Sequence, residues 1–178
     1  MYKYWVRHQL RKYYKNNGMR EKRFLNLKDV HTMLVLFDTQ NVVEAIAFIK
    51  SMKKMNKKVT VYAYQGKHDA KDYSRTGYNI ITAKETDDLF QKKLKEMVSD
   101  LKKEKYDAAI DLTAQHNFSV EYLLAHTNAK MKVGLKKNDI PQYDFSIADI
   151  PELQQESLKV RELANQLRYY LQVIQAAP

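Results

Sequence analysis

The sequence predicts an α/β domain built on a doubly wound, mainly parallel sheet, with a basic N-terminal helix and a long C-terminal helix. Three observations predict it. Continuous apolar runs such as Met33–Phe37 read as strands buried on both faces, the habit of parallel sheets. Between them lie stretches whose apolar residues recur every three to four positions, the signature of helices. The resulting order, α-β-α-β-β-α-β-α-β-β-α, is that of layered α/β folds. A length of 178 residues with 44% apolar and 29% charged side chains fits one globular domain rather than two.

Taken in order, Tyr2, Val6, Leu10 and Tyr13/Tyr14 place an apolar-aromatic stripe on a helix over residues 2–15, which Asn16-Asn17-Gly18 stops. Val30–Phe37 is the first strand. Val42, Ile46, Ile49 and Met52 mark one face of the helix after it, and Lys58–Tyr64 is a second strand, completing a right-handed βαβ unit. The polar stretch Gln65–Tyr78 reads as a long surface loop before a short strand, Asn79–Thr82. A helix over 85–104 buries Phe90, Leu94, Met97 and Leu101, and Asp107–Leu112 is a central strand. Asn117 is placed to cap a helix burying Val120, Leu123 and Leu124. Lys130–Gly134 and Asp144–Ala148 are the last strands.

The final helix is expected over 151–175, started by Asp149 as N-cap with Glu152 three residues on and Pro151 in the first turn. Its apolar positions, Leu153, Ser157, Val160, Ala164, Leu167, Leu171 and Ile174, step in fours and threes. A helix packed along the domain edge explains them; a seam in a homodimer, or with a partner protein, is the sharper reading.

Charge divides the chain in two. Residues 1–28 carry nine Lys/Arg and one acid, a net +8, whereas the remainder is within two charges of neutral. The expected organisation is therefore a basic helical arm over 1–28 and one α/β domain over 29–178. An arm presenting Lys3, Arg7, Arg11, Lys12, Lys15, Arg20, Lys22 and Arg23 suits an anionic partner, either RNA or the inner face of a membrane. The plainer reading is a solvated helix that aids solubility. Nothing marks a reader of DNA sequence.

Much chemistry is excluded. The chain has no cysteine, so disulfides, thiolate metal sites and cysteine nucleophiles are absent, which fits a reducing cytosol. No run is long enough to cross a bilayer, and no apolar stretch follows the basic start as in a secretory signal, so a cytoplasmic location is expected, at most peripheral to a membrane. The four glycines, Gly18, Gly66, Gly77 and Gly134, are too dispersed for a dinucleotide fingerprint or a P-loop, and no cofactor is expected. None of His8, His31, His68, His116 and His126 pairs at zinc spacing; His68-Asp69 reads as a solvated loop pair. No serine sits in a nucleophile-elbow setting. No catalytic residue is assigned, and a non-catalytic binding or scaffold role is favoured over an enzyme.

One polar cluster remains. In an open parallel sheet, ligands bind beyond the carboxyl ends of the strands. Asp38, Thr39 and Asn41 follow the first strand, and Asp111, Thr113, Gln115, His116 and Asn117 follow the strand at 107–112. A doubly wound sheet sets these two turns side by side, as a cleft for a sugar or nucleotide. The alternative is that Asp38 and Asp111 only cap turns.

The stretches Tyr106-Asp-Ala-Ala-Ile-Asp-Leu112, Ser119–Leu124 and Ala129-Lys-Met-Lys-Val-Gly134 together resemble the N-terminal half of the ADP-heptose:lipopolysaccharide heptosyltransferases, glycosyltransferases with two Rossmann-like domains (the GT-B type). Met33–Phe37 followed by Val42–Ile46 matches their first strand and helix, and the likeness covers roughly residues 30–148. The resemblance implies a Rossmann-like half-domain; short bacterial proteins of unknown function share this form. Where the family carries Gly-Asp at its first helix, the Asp being its proposed base, this chain has Gln40-Asn41, and an amide accepts no proton usefully. The sequence ends at Pro178, without the family's second domain, so transferase activity by this chain alone is not expected.

Overall fold

A computed structural model describes residues 2–16, 22–83, 87–137, 142–148 and 153–174. The elements are α1 (Tyr2–Asn16), β1 (Thr32–Asp38), α2 (Val42–Lys54), β2 (Lys58–Gln65), β3 (Asn79–Thr82), α3 (Asp87–Lys103), β4 (Tyr106–Asp111), α4 (Phe118–His126), β5 (Ala129–Leu135), β6 (Phe145–Ile147) and α5 (Glu156–Val173). Single 3₁₀ turns precede β1, at Leu27–Asp29, and follow it, at Thr39–Asn41. The six strands form one sheet in the order β3-β2-β1-β4-β5-β6, every pairing parallel. The chain runs outward from β1 to β3, then returns to β4 and runs outward the other way, so its switch point lies between β1 and β4. This is the doubly wound, Rossmann-like fold that the sequence predicts.

Alternation along the central strands feeds two apolar layers. Met33, Val35 and Phe37 face α2 and α5, with Phe48, Ile49, Leu163 and Leu167 packed on them. Leu34 and Leu36 face the other layer, where Phe90, Leu94, Leu101, Val120 and Leu124 cover the sheet. The 66–78 connection replaces a crossover helix. Tyr73 plugs it into the first layer, and its hydroxyl donates to Asp69 at 2.8 Å, so this stretch is less superficial than its polarity predicts.

The first 28 residues do not form a detached arm over their described helix. Val6 and Leu10 of α1 are 0% and 2% exposed, joined to the α3–α4 layer. The cause lies in α4. Its sequence, FSVEYLLAH, has almost no polar face, and Ser119–Ala125 are all buried, with the sheet beneath and α1 above. Trp5 lies 5.4 Å from Tyr122, and Tyr13 lies 4.7 Å from His126, between ring centroids.

α5 begins at Glu156, with Gln155 at the cap making no side-chain bond, rather than at 151. Asp149, Pro151 and Glu152 lie outside the described residues, while 153–155 are not helical. Val160, Ala164, Leu167 and Leu171, the seam of the heptad-like pattern, are buried in the chain's own core. No helix among the described residues is long and apolar enough to cross a membrane.

Candidate functional site

Two surfaces draw on the residues singled out by the sequence. The first is the outer side of α1. The helix contains no acidic residue, and with its apolar side docked, Arg7, His8, Arg11 and Lys12 stand exposed. Tyr4, one turn before His8, is 82% exposed. Lys95 of α3 sits 5.4 Å over the Trp5 ring and extends the positive surface. Trp5, Tyr13 and Tyr14 are half-buried in the layer that α1 shares with α3 and α4. Lys3 and Lys15 belong to α1, but their side chains lie outside the described set, as does all of Arg20. Lys22 is an exposed cation 3.7 Å from the Asp144 carboxylate, and Arg23, also exposed, is held by its backbone N–H on the Lys130 carbonyl at 3.1 Å.

The second surface is the carboxyl end of the sheet, where the β1 and β4 turns do meet. Asn117 Nδ2 donates to Asp38 Oδ2 at 3.3 Å across the switch point. Both residues also perform local tasks. Asp38 Oδ1 accepts from the Gln40 N–H at 3.0 Å, and Asn117 Oδ1 caps α4 through Ser119 and Val120 at 3.1 and 3.2 Å. Thr39 and Asn41 are buried; Asn41 Nδ2 reaches Glu156 of α5 at 2.7 Å, which turns it away from a shared pocket with His116. Burial pushes the Asp38 carboxyl above the usual carboxylate range against the opposing Gln40 and Asn117 bonds, and nearby Glu156 and Asp69 push the same way. The β1 side of the switch point is therefore acidic.

The β4–β5 side differs. Asp111 is fully buried, accepting from Lys137 Nζ and the Tyr143 hydroxyl at 2.7 Å each on one oxygen. Its other oxygen accepts from the Thr113 N–H at 2.8 Å and hydroxyl at 2.6 Å, and Lys137 also bonds the Thr113 hydroxyl. Asp111 is thus the centre of a satisfied buried network rather than an open ligand group. His116 Nδ1 lies 2.8 Å from Oε1 of buried Glu121, the one acid of α4. Next to it opens a cleft of about 450 Å³, between the turn at 114–116, the end of β5 and α5. Lys136, Lys137, Lys159 and Glu121 were not singled out from sequence. A carboxylate inside an otherwise apolar helix was the available signal for Glu121, because a buried acid needs a partner.

Among solved structures, the chain is similar to an exopolyphosphatase-related protein from Bacteroides fragilis, with a TM-score of 0.48 and 12% identity over 94% of this chain and 45% of that one. It is also similar to E. coli heptosyltransferase WaaC, solved with ADP, at a TM-score of 0.48 and 15% identity over 82% of this chain and 50% of that one. The same enzyme with ADP-2-deoxy-2-fluoro heptose gives 0.45 and 16%, over 75% and 48%. The chain thus spans about half the length of these proteins, and likeness at such identity concerns the fold alone. No curated protein matches. A family model does match, over residues 3–174, from α1 to the end of α5, and the chain accordingly belongs to the family of unknown function DUF6913.

Proposed function

We propose that the protein is a non-catalytic binding protein that holds single-stranded RNA on the outer face of α1. The Rossmann-like sheet, which resembles one half of a heptosyltransferase, serves on this reading as the platform for that helix. One observation carries it: α1 is fastened by Val6 and Leu10, so Arg7, Arg11 and Lys12 form a fixed, exposed cationic row on a helix without an acid. Such a row neutralises successive phosphates, and exposed Tyr4 offers a face on which a base can stack. A membrane is disfavoured by the same geometry. An amphipathic helix enters a bilayer through its apolar side, and that side is occupied by α3 and α4.

The test is titration of a labelled oligouridylate, and separately of phosphatidylserine vesicles, with the full chain and with R7E/R11E/K12E. RNA affinity is expected to fall about a hundredfold in the variant at low salt. RNA binding untouched by the variant, or vesicle binding without RNA binding, overturns the reading.

A further inference from the structure

We infer that the cleft between the β4–α4 turn, the end of β5 and the start of α5 is a binding site for a small phosphate ester. Three separate segments bring basic side chains to it: His116 from the first, Lys136 and Lys137 from the second, Lys159 from the third. Gln115 adds a neutral polar group, and no carboxylate lines the cleft among the described residues. The acids bonded to the wall residues Lys137 and His116, Asp111 and Glu121, are 0% and 1% exposed. Each is committed, Asp111 to Lys137, Thr113 and Tyr143, and Glu121 to His116.

The arrangement is built rather than a chance gathering of surface lysines. Lys137 has a side chain only 3% exposed, pinned by Asp111 and Thr113. The Lys136 backbone is fixed by its N–H on the Ile147 carbonyl at 2.8 Å. Glu121 holds the imidazole of His116 by Nδ1, leaving Nε2 as the ring nitrogen for a ligand. A dianion with several acceptor oxygens matches ammonium groups converging from different sides, and a monocarboxylate uses fewer of them. About 450 Å³ lies within the range of small-molecule sites and leaves room for an organic group beside the phosphate. The cleft lies at the carboxyl ends of parallel strands, where α/β sheets generally take ligands. It is independent of α1.

The test is calorimetric titration of the full chain with glycerol 3-phosphate, with inorganic phosphate and glycerol as the two halves of the probe. Saturable binding of glycerol 3-phosphate is expected. Lys136→Glu should weaken it about tenfold, Lys159→Gln similarly, and R7E/R11E/K12E not at all. Lys136→Gln gives the same reading without charge reversal should the first variant fold poorly. Absence of saturable binding, equal binding of glycerol, or affinity unchanged in both lysine variants overturns the inference.

Discussion

Asp107 receives the Lys130 ammonium at 2.8 Å on one oxygen, and its other oxygen accepts the backbone N–H groups of His31 and Thr32 at 2.9 and 3.0 Å. This carboxylate thereby joins the amino-terminal ends of β1, β4 and β5, opposite the end where Asp111 works. Burial acts to raise its pKa, but the Lys130 bond and the two backbone donors hold it well below the usual carboxylate range. The folded pKa is depressed, so the stabilisation is complete above the unfolded value of about 3.9 and is lost as pH falls through the folded one. Asp107→Asn should cost about 2 kcal/mol at neutral pH and flatten the stability loss below about pH 4. Urea unfolding at several pH values measures both; a variant as stable as the parent at pH 7 contradicts the assignment.

His126 gives the opposite titration. It is packed between Tyr13 of α1 and Tyr122, at ring distances of 4.7 and 4.3 Å, with Nδ1 2.8 Å from the Tyr122 carbonyl. Burial lowers its pKa, and the charges of Lys102 and Lys132 lower it further against the Tyr122 bond. The unfolded or undocked state therefore binds the proton first, and docking of α1 weakens as pH drops below about 6.5. Trp5, the single tryptophan, sits on this interface against Tyr122, so its emission should shift to the red on acidification. His126→Gln should remove the part of that shift between about pH 6.5 and 5. An emission spectrum indifferent to pH over that interval excludes the coupling.

The sheet was legible because period-two and continuous apolar runs identify strands regardless of what they pair with, and β1–β4 adjacency follows from the winding rule. The Asn117 cap was legible because its partners are local. Less visible was anything that depends on a distant residue. Asn41 looks like a cleft residue from its position after β1, yet its partner is Glu156, which sequence order cannot supply. The basic arm looked detached because its composition contrasts with the rest. The counter-signal was in α4, whose FSVEYLLAH has too little polar surface to face water and requires a cover. Asp149 offers a good cap pattern in the sequence, whereas α5 begins later, where Glu156 meets Asn41.

Gly134 is required by Tyr143. A Cβ at this position would stand 2.5 Å from Cε1 of the tyrosine ring and 3.2 Å from the Asp111 Cβ. The ring is held by its hydroxyl on Asp111 and cannot swing aside without breaking that bond. Gly134→Ala should therefore destabilise the chain by about 1–3 kcal/mol despite filling no polar gap. Combined with Tyr143→Ala, which vacates the space, the cost of the alanine should largely vanish. A double-mutant cycle by thermal unfolding reads the coupling, and strict additivity of the two changes would show that the contact is not made.

The covering of α4 makes the N-terminal helix a stability element of the fold. Leu10 is 2% exposed and packs with Phe90, Leu94, Tyr122 and Leu123 in the second layer. Leu10→Ala should cost about 2–4 kcal/mol if α1 unfolds together with the domain. If α1 separates on its own, the main unfolding transition stays put while Trp5 reports an earlier one. The two cases are resolved by following tryptophan emission and far-ultraviolet dichroism through the same denaturant series. A chain starting at Val30 lacks the cover in either case and leaves the outer side of α4, including Tyr122, open to water. It should self-associate at concentrations where the full chain does not, as an unprotected apolar helix face does. A monomeric, fully stable chain from Val30 would show that α4 needs no cover.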